Sequence, residues 1–151
     1  MNGPEAGRGW VLGIDPGTRK CGFALIAAAR TAPLDSGIVP TAELPERIRE
    51  LARSRQILVV ALGGGTHTAA VASLVAPLGL AVRIVDESET TLLARQRYFE
   101  AYPPRGWRRL VPQGMLLPPR PIDDFAALLI AERFLDGEAE ALADEARAAG
   151  T

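Results

Sequence analysis

Val11 to Ile26 read VLGIDPGTRKCGFALI, an apolar run that ends on an acid, breaks at Pro16-Gly17-Thr18 and resumes from Cys21. Branched and apolar residues on either side of strong turn residues predict strand, turn, strand. Asp15, the one carboxylate in the string, is then carried at the tip of a strand. Glycine beside it lets a phosphate come close to the backbone. An isolated Asp-Pro-Gly is equally a tight turn opened by its Asp side chain, so the companions of Asp15 elsewhere in the chain decide its role.

Downstream, Asp35 to Pro40 follows the break at Pro33 as a third strand, completing an antiparallel meander. From Glu43 to Arg53 the spacing of Leu44, Ile48, Leu51 and Ala52 among charged residues predicts an amphipathic helix. Ile57 to Leu62 is a continuous apolar run, ended by Gly63-Gly64-Gly65 and followed by a small-residue helix from Thr66 to Val75. Leu80 to Val85 repeats the strand signature with Asp86-Glu87 at its end, and a helix follows from Glu89 to Ala101. Such runs predict parallel strands buried on both faces. Tyr102 to Pro119 holds Pro103, Pro104, Pro112, Pro118 and Pro119, which predicts a long irregular loop of the kind that often carries function. Pro121 suits a first helical position, after which Ile122, Phe125, Ala126, Leu129, Ile130 and Phe134 trace an apolar face that is expected to end near Gly137. The expectation is one α/β domain over residues 10–136, a mixed five-stranded sheet with helices, between a tail at 1–9 and an acidic tail or short helix at 137–151.

A chain of 151 residues with 48% hydrophobic residues is long and apolar enough to bury a core without disulfides or a structural metal. The lone Cys21 makes no internal disulfide, and no Cys/His cluster has zinc spacing. No apolar run reaches bilayer length and the first residues lack an apolar signal core, so no membrane partner and a cytoplasmic location are expected. The net charge of −1 hides a local imbalance. Arg95, Arg97, Arg105, Arg108, Arg109 and Arg120 face only Glu100 in their stretch, whereas acids crowd the C-terminal end, and this asymmetry suits an anionic partner.

The opening string resembles that of the RNase H-like superfamily, specifically the RuvC and YqgF nucleases, in which the acid of the first strand binds metal. IVDESETTLLARQRYF, Ile84 to Phe99, is similar to the YqgF segment where an Asp-Glu pair ends a strand, and PIDDFAALLIAERFL, Pro121 to Leu135, is similar to its final helix with an acid near the start. The resemblance implies an RNase H-like fold, antiparallel in its first three strands and parallel thereafter. It assigns metal binding and catalysis to Asp15, Glu87 and Asp123, with Asp124 as substitute or helper. The implied cofactor is Mg²⁺ or Mn²⁺, and the implied substrate is a Holliday junction or the end of pre-16S ribosomal RNA. A junction resolvase would work as a homodimer, since two symmetric strands are cut.

The chemistry agrees with that donor set. Phosphodiester hydrolysis needs hard oxygen ligands that hold a divalent ion and leave positions for water and phosphate. The loop arginines would hold phosphates, and Trp107 and Tyr102 would stack on an unpaired base. Two departures from the family pattern stand out: RuvC-type proteins carry an acid where this chain reads Leu62-Gly63-Gly64, and YqgF-type proteins carry arginine where it has Ser88. Those departures motivate an alternative, a nucleic-acid-binding module with weakened catalysis. A sugar-kinase-like phosphotransferase, whose opening is similar, would need two such domains. His67, the single histidine, reads as a helix cap or surface side chain, and because Lys20 is the single lysine almost all positive charge is arginine, a bias that carries no functional weight.

Overall fold

The structure is a computed structural model that describes residues 9–27, 35–86, 90–112 and 117–149, without the side chains of 54, 90–92 and 138–149. Five strands, β1 (Trp10–Asp15), β2 (Lys20–Ala27), β3 (Asp35–Pro40), β4 (Ile57–Gly64) and β5 (Val82–Asp86), form one sheet in the order β3-β2-β1-β4-β5. β1, β2 and β3 pair antiparallel, whereas β4 lies parallel to β1 and β5 parallel to β4. This is the mixed sheet expected from the sequence.

Alternation along the strands divides the core into two layers. Leu12 and Ile14 of β1, Phe23 and Leu25 of β2, and Val60 and Leu62 of β4 face one side. There they meet helix α1 (Leu44–Ser54) through Leu44, Ile48 and Leu51, and helix α2 (Thr68–Val75) through Val71 and Val75. Val11, Ile26, Val59 and Ala61 face the other side and pack on Ile130 and Ala131 of helix α4 (Asp123–Ala149). Helix α3 (Thr90–Ala101) lies outside the sheet against α4, with Ala94 beside Ala126 and Leu129. A bulge at the start of β4 keeps both layers in phase: Trp10 pairs with Ile57 but Val11 pairs with Val59, and the extra Leu58 is left 43% exposed.

α4 owes its position to two glycines. A Cβ on Gly13 of β1 would overlap the Ala127 carbonyl and lie 2.9 Å from the Ala131 Cβ, and a Cβ on Gly22 of β2 would overlap the Asp123 carbonyl. The helix backbone therefore rests directly on the strand backbone, closer than any side chain would allow.

Several boundaries differ from the sequence reading. β4 continues through Gly63 and Gly64 because both stay in register with β5, opposite Val85 and Asp86, and α2 accordingly starts at Thr68 rather than Thr66. β5 begins at Val82 and is an edge strand, with Ile84 58% exposed, instead of a strand buried on both faces. The start of α4 is set by Ile122, whose carbonyl accepts the amides of Phe125 and Ala126 at 3.0 and 3.1 Å, so Pro121 lies outside the helix. α4 also runs through Gly137, where one glycine among Ala, Glu and Leu costs only about 1 kcal/mol and is outweighed by its neighbours. The long loop contains a 3₁₀ turn, Gly106–Leu110.

Candidate active site

Asp15 ends β1 on the parity of Val11 and Gly13, so it belongs to the α4 layer of the sheet. Its antiparallel partner in register is Gly22, the same glycine on which the Asp123 backbone rests. Two carboxylates more than a hundred residues apart in sequence are thereby brought to one place by backbone contact. Residues Asp15 to Lys20 and Asp123 line a cleft of about 260 Å³ there.

The loop beneath the cleft is pinned from β3. The Thr41 hydroxyl donates to the Gly17 carbonyl at 2.8 Å, and the Thr41 amide donates to the Arg19 carbonyl at 2.8 Å. The buried Cys21 Sγ lies 3.3 Å from the Thr41 hydroxyl, packing under the same turn. Gly17 is obligatory, since a Cβ would overlap the Lys20 carbonyl. Within the cleft the Lys20 Nζ stands 3.7 Å from the Asp123 carboxylate, with both side chains reachable by solvent.

Asp123 and Asp124 are separated cleanly. Asp124 does not line the cleft. It bonds Arg120 at 3.2 Å and borders a different hollow with Ser36, Phe125 and Leu128. Burial works against the Arg120 charge, but the hydrogen bond and charge of Asp124 outweigh it and raise its pKa above the ordinary value, with smaller help from Tyr98 and Tyr102. Because the shift raises an already high value, the stabilisation it carries is fully present below the ordinary arginine value and is lost only as pH rises from there through the raised one. The Arg120 guanidinium also lies 5.4 Å from the Tyr98 ring centre and 5.5 Å from that of Phe125, fastening the end of the long loop to α3 and α4.

Asp86 follows the parity of Val82 and Ile84, the layer opposite Val85, which packs with the α4 cluster. The Arg133 guanidinium donates to its carbonyl at 2.7 Å, tying the end of β5 to α4. Glu87 and Ser88, expected at the site and beside it, lie outside the described residues. Among the described residues no three acids, histidines or cysteines gather as a metal site, so the described donor set is the pair Asp15 and Asp123. That pair suits Mg²⁺, which is commonly held by one or two carboxylates together with substrate phosphates.

The basic residues of the sequence reading divide by what holds them. Arg97 is paired with Glu132 at 2.7 Å, Arg120 with Asp124, and Arg108 donates to the Leu117 carbonyl at 2.7 Å. Arg105 and Arg109 are exposed on either side of Trp107, which is 74% exposed, with the Arg109 Nε donating to the Gly106 carbonyl of its own turn at 3.4 Å, while Arg95 on α3 is half-buried. Tyr102 packs its ring 5.1 Å from that of Tyr98.

Of two residues that the sequence reading passed over, Lys20 lines the cleft and His67 borders it through Thr18. Lys20 also pairs with Asp123. His67 makes no capping bond to α2 through its side chain; instead its Nδ1 lies 3.0 Å and its Nε2 3.3 Å from the Thr18 hydroxyl, across from the loop that follows Asp15. The available signal was topological: residues after β4 fall beside residues after β1 because the two strands are parallel neighbours.

Residues 11–71, from β1 to the first half of α2, match the family model of the crossover junction endodeoxyribonuclease RuvC. The fold is RuvC-like. Thermus thermophilus RuvC in complex with a Holliday junction substrate is similar in structure at a TM-score of 0.52 and 19% identity, over 81% of this chain and 89% of that one. A second Thermus thermophilus RuvC structure gives a TM-score of 0.50 at 18% identity, over 81% and 90% of the two chains. No curated protein matches the sequence. The RuvC-like match stops short of the Ile84 to Phe99 stretch on which the YqgF resemblance rests. No helix among the described residues is long and apolar enough to cross a membrane.

Proposed function

We propose that this chain is a divalent-metal-dependent nuclease that hydrolyses phosphodiester bonds in branched DNA or structured RNA in the cytoplasm. The carrying observation is the convergence of Asp15 and Asp123 on one cleft of a RuvC-like sheet, with Lys20 between cleft and solvent. Asp15 and Asp123 would hold Mg²⁺ or Mn²⁺, and we assign Glu87 as the third carboxylate because Asp86 follows the parity of the opposite layer. An ion held there supplies Lewis-acid activation for attack of water on phosphorus. Lys20 pairs with Asp123 and, like Arg19, offers the cleft a cationic group for a phosphate.

Arg105, Arg109 and Trp107 are the loop residues best placed to meet nucleic acid, because they are exposed and the guanidinium groups of Arg97 and Arg120 are engaged in ion pairs. The similar Thermus thermophilus protein is described in complex with a Holliday junction, which makes a four-way DNA junction the first substrate to try. Symmetric cutting of such a junction would require a homodimer. Pre-16S ribosomal RNA is the substrate that the YqgF resemblance adds.

A second reading, a nucleic-acid-binding module without catalysis, is favoured by one observation: the β4 end carries Gly63 and Gly64 and no acid. Incubation with a four-way junction and with structured RNA in Mn²⁺ or Mg²⁺ separates the two. Cleavage by the wild type that stops with chelator and in Asp15→Asn supports the nuclease. Binding with equal absence of cutting in wild type and Asp15→Asn overturns it in favour of the module.

A further inference from the structure

Parallel α/β sheets bind ligands at the carboxyl ends of their strands, where neighbouring chains leave in opposite directions. β1 and β4 are such a pair. After Asp15 the chain turns back to β2 on one side of β1, whereas after Gly64 it passes through α2 to β5 on the other side. One side-chain pair spans the crevice between them: the His67 imidazole, from the β4 side, and the Thr18 hydroxyl, from the β1 side, at 3.0 Å. Thr18 lines the cleft that contains Asp15 and Asp123.

The backbone under His67 is held by its own bonds. The Thr68 hydroxyl donates to the Gly63 carbonyl at 2.6 Å and accepts the Gly65 amide at 2.6 Å, closing the glycine turn. Thr68 thus fixes the turn, and His67, although it occupies the N-cap position, makes no capping bond to α2 through its side chain. The imidazole is exposed, as is the hydroxyl it meets. An exposed bond between two loops adds little to stability. Through Thr18, which lines the Asp15 cleft, the imidazole borders that cleft on the β4 side.

We propose that His67 is a substrate-contacting residue of the Asp15 cleft, held by Thr18 so that its ring bonds a backbone phosphate of the bound nucleic acid. The proposal rests on the nuclease reading for its substrate class, but its test is separable. With the wild type cutting a four-way DNA junction, His67→Ala is expected to raise KM by about ten- to hundredfold, the loss typical of a hydrogen bond to a charged group, with a smaller effect on kcat and an unchanged melting temperature. Thr18→Val, which frees the ring but leaves it present, is expected to have the smaller effect on KM, and His67→Gln to recover part of the loss.

The single histidine also supplies a binding signal that needs no cleavage. In the Asp15→Asn protein, added junction should shift the one imidazole resonance. Cleavage with KM unchanged in His67→Ala and an unmoved imidazole resonance would overturn the proposal and leave the nuclease standing. A shifted resonance with weakened binding in His67→Ala, but no cleavage by the wild type, would overturn the nuclease and leave the contact standing. Neither cutting nor any shift would overturn both.

Discussion

Asp15, Asp123 and Asp124 are chemically alike, and their surroundings give them different work. Asp15→Asn and Asp123→Asn should each lower kcat on a cleavable junction by about a thousandfold, ~4 kcal/mol of lost transition-state stabilisation, measured under saturating Mg²⁺ or Mn²⁺. Asp124→Asn should leave kcat within about threefold and cost only about 1 kcal/mol of stability, because its charge is spent on Arg120 rather than on the cleft. A cleavage time course beside a denaturant melt distinguishes the three variants. Sequence reasoning placed Asp15 at a strand tip from its turn, but reached its role, and that of Asp123 with Asp124 as substitute, only through the resemblance. It had no means of choosing between neighbours in the first turn of a helix, where both are favoured by the dipole and only packing says which faces inward. His67 and Lys20 escaped it for a related reason. Lys20 sits inside the opening string but meets Asp123 only through the glycine contact under α4, and His67, outside every motif, meets Thr18 only because β1 and β4 pair in parallel.

At the scale of elements, strand and helix identities were legible because apolar runs bounded by turn residues mark β1 and β2, and a spacing of every third or fourth residue runs through α1 and the first half of α4. The boundaries that shifted were those governed by partners elsewhere in the chain. Gly63 and Gly64 look like a stop signal in sequence, yet pairing with β5 keeps them extended. Gly137 looks like another, yet α4 passes through it. Nothing lies within 4 Å of a Cβ built on Gly137, so Gly137→Ala should stabilise the protein by about 1 kcal/mol, read as a rise in the midpoint of thermal or denaturant unfolding. Gly22→Ala should do the reverse. The added methyl collides with the Asp123 backbone, so α4 has to shift, at a cost of about 1–3 kcal/mol. The loss of cleavage in Gly22→Ala should exceed that of a core variant of equal stability, because the shift moves a carboxylate of the cleft as well as a helix. Equal losses at matched stability would show that the contact serves packing alone.

For the whole molecule, the net charge of −1 would suggest little attraction to a polyanion, and only its distribution says otherwise. Exposed Arg105 and Arg109 on the loop, with Arg19 and Lys20 at the cleft, would meet about four phosphates, so junction affinity should fall with salt at a log–log slope of about −3.6. Fluorescence anisotropy at a series of salt concentrations measures that slope. Replacing Arg105 and Arg109 by Ala should reduce it by about 2, whereas replacing Arg97, which is paired with Glu132, should leave it nearly unchanged. A flat dependence in the wild type would remove the loop from the binding surface.

The seating of Asp123 on Gly22 also separates the cleft from the segment that leads into it. Because the two carboxylates are spaced by backbone against backbone, the stretch between α3 and α4 does not act as a ruler for them. Its far end is fastened independently, by Arg120 between Tyr98, Phe125 and Asp124. That makes the proline-rich segment an interchangeable part. On our nuclease reading it could be lengthened, shortened or exchanged between these anchors to change what the protein grips, while the spacing of Asp15 and Asp123 stays as the sheet has set it.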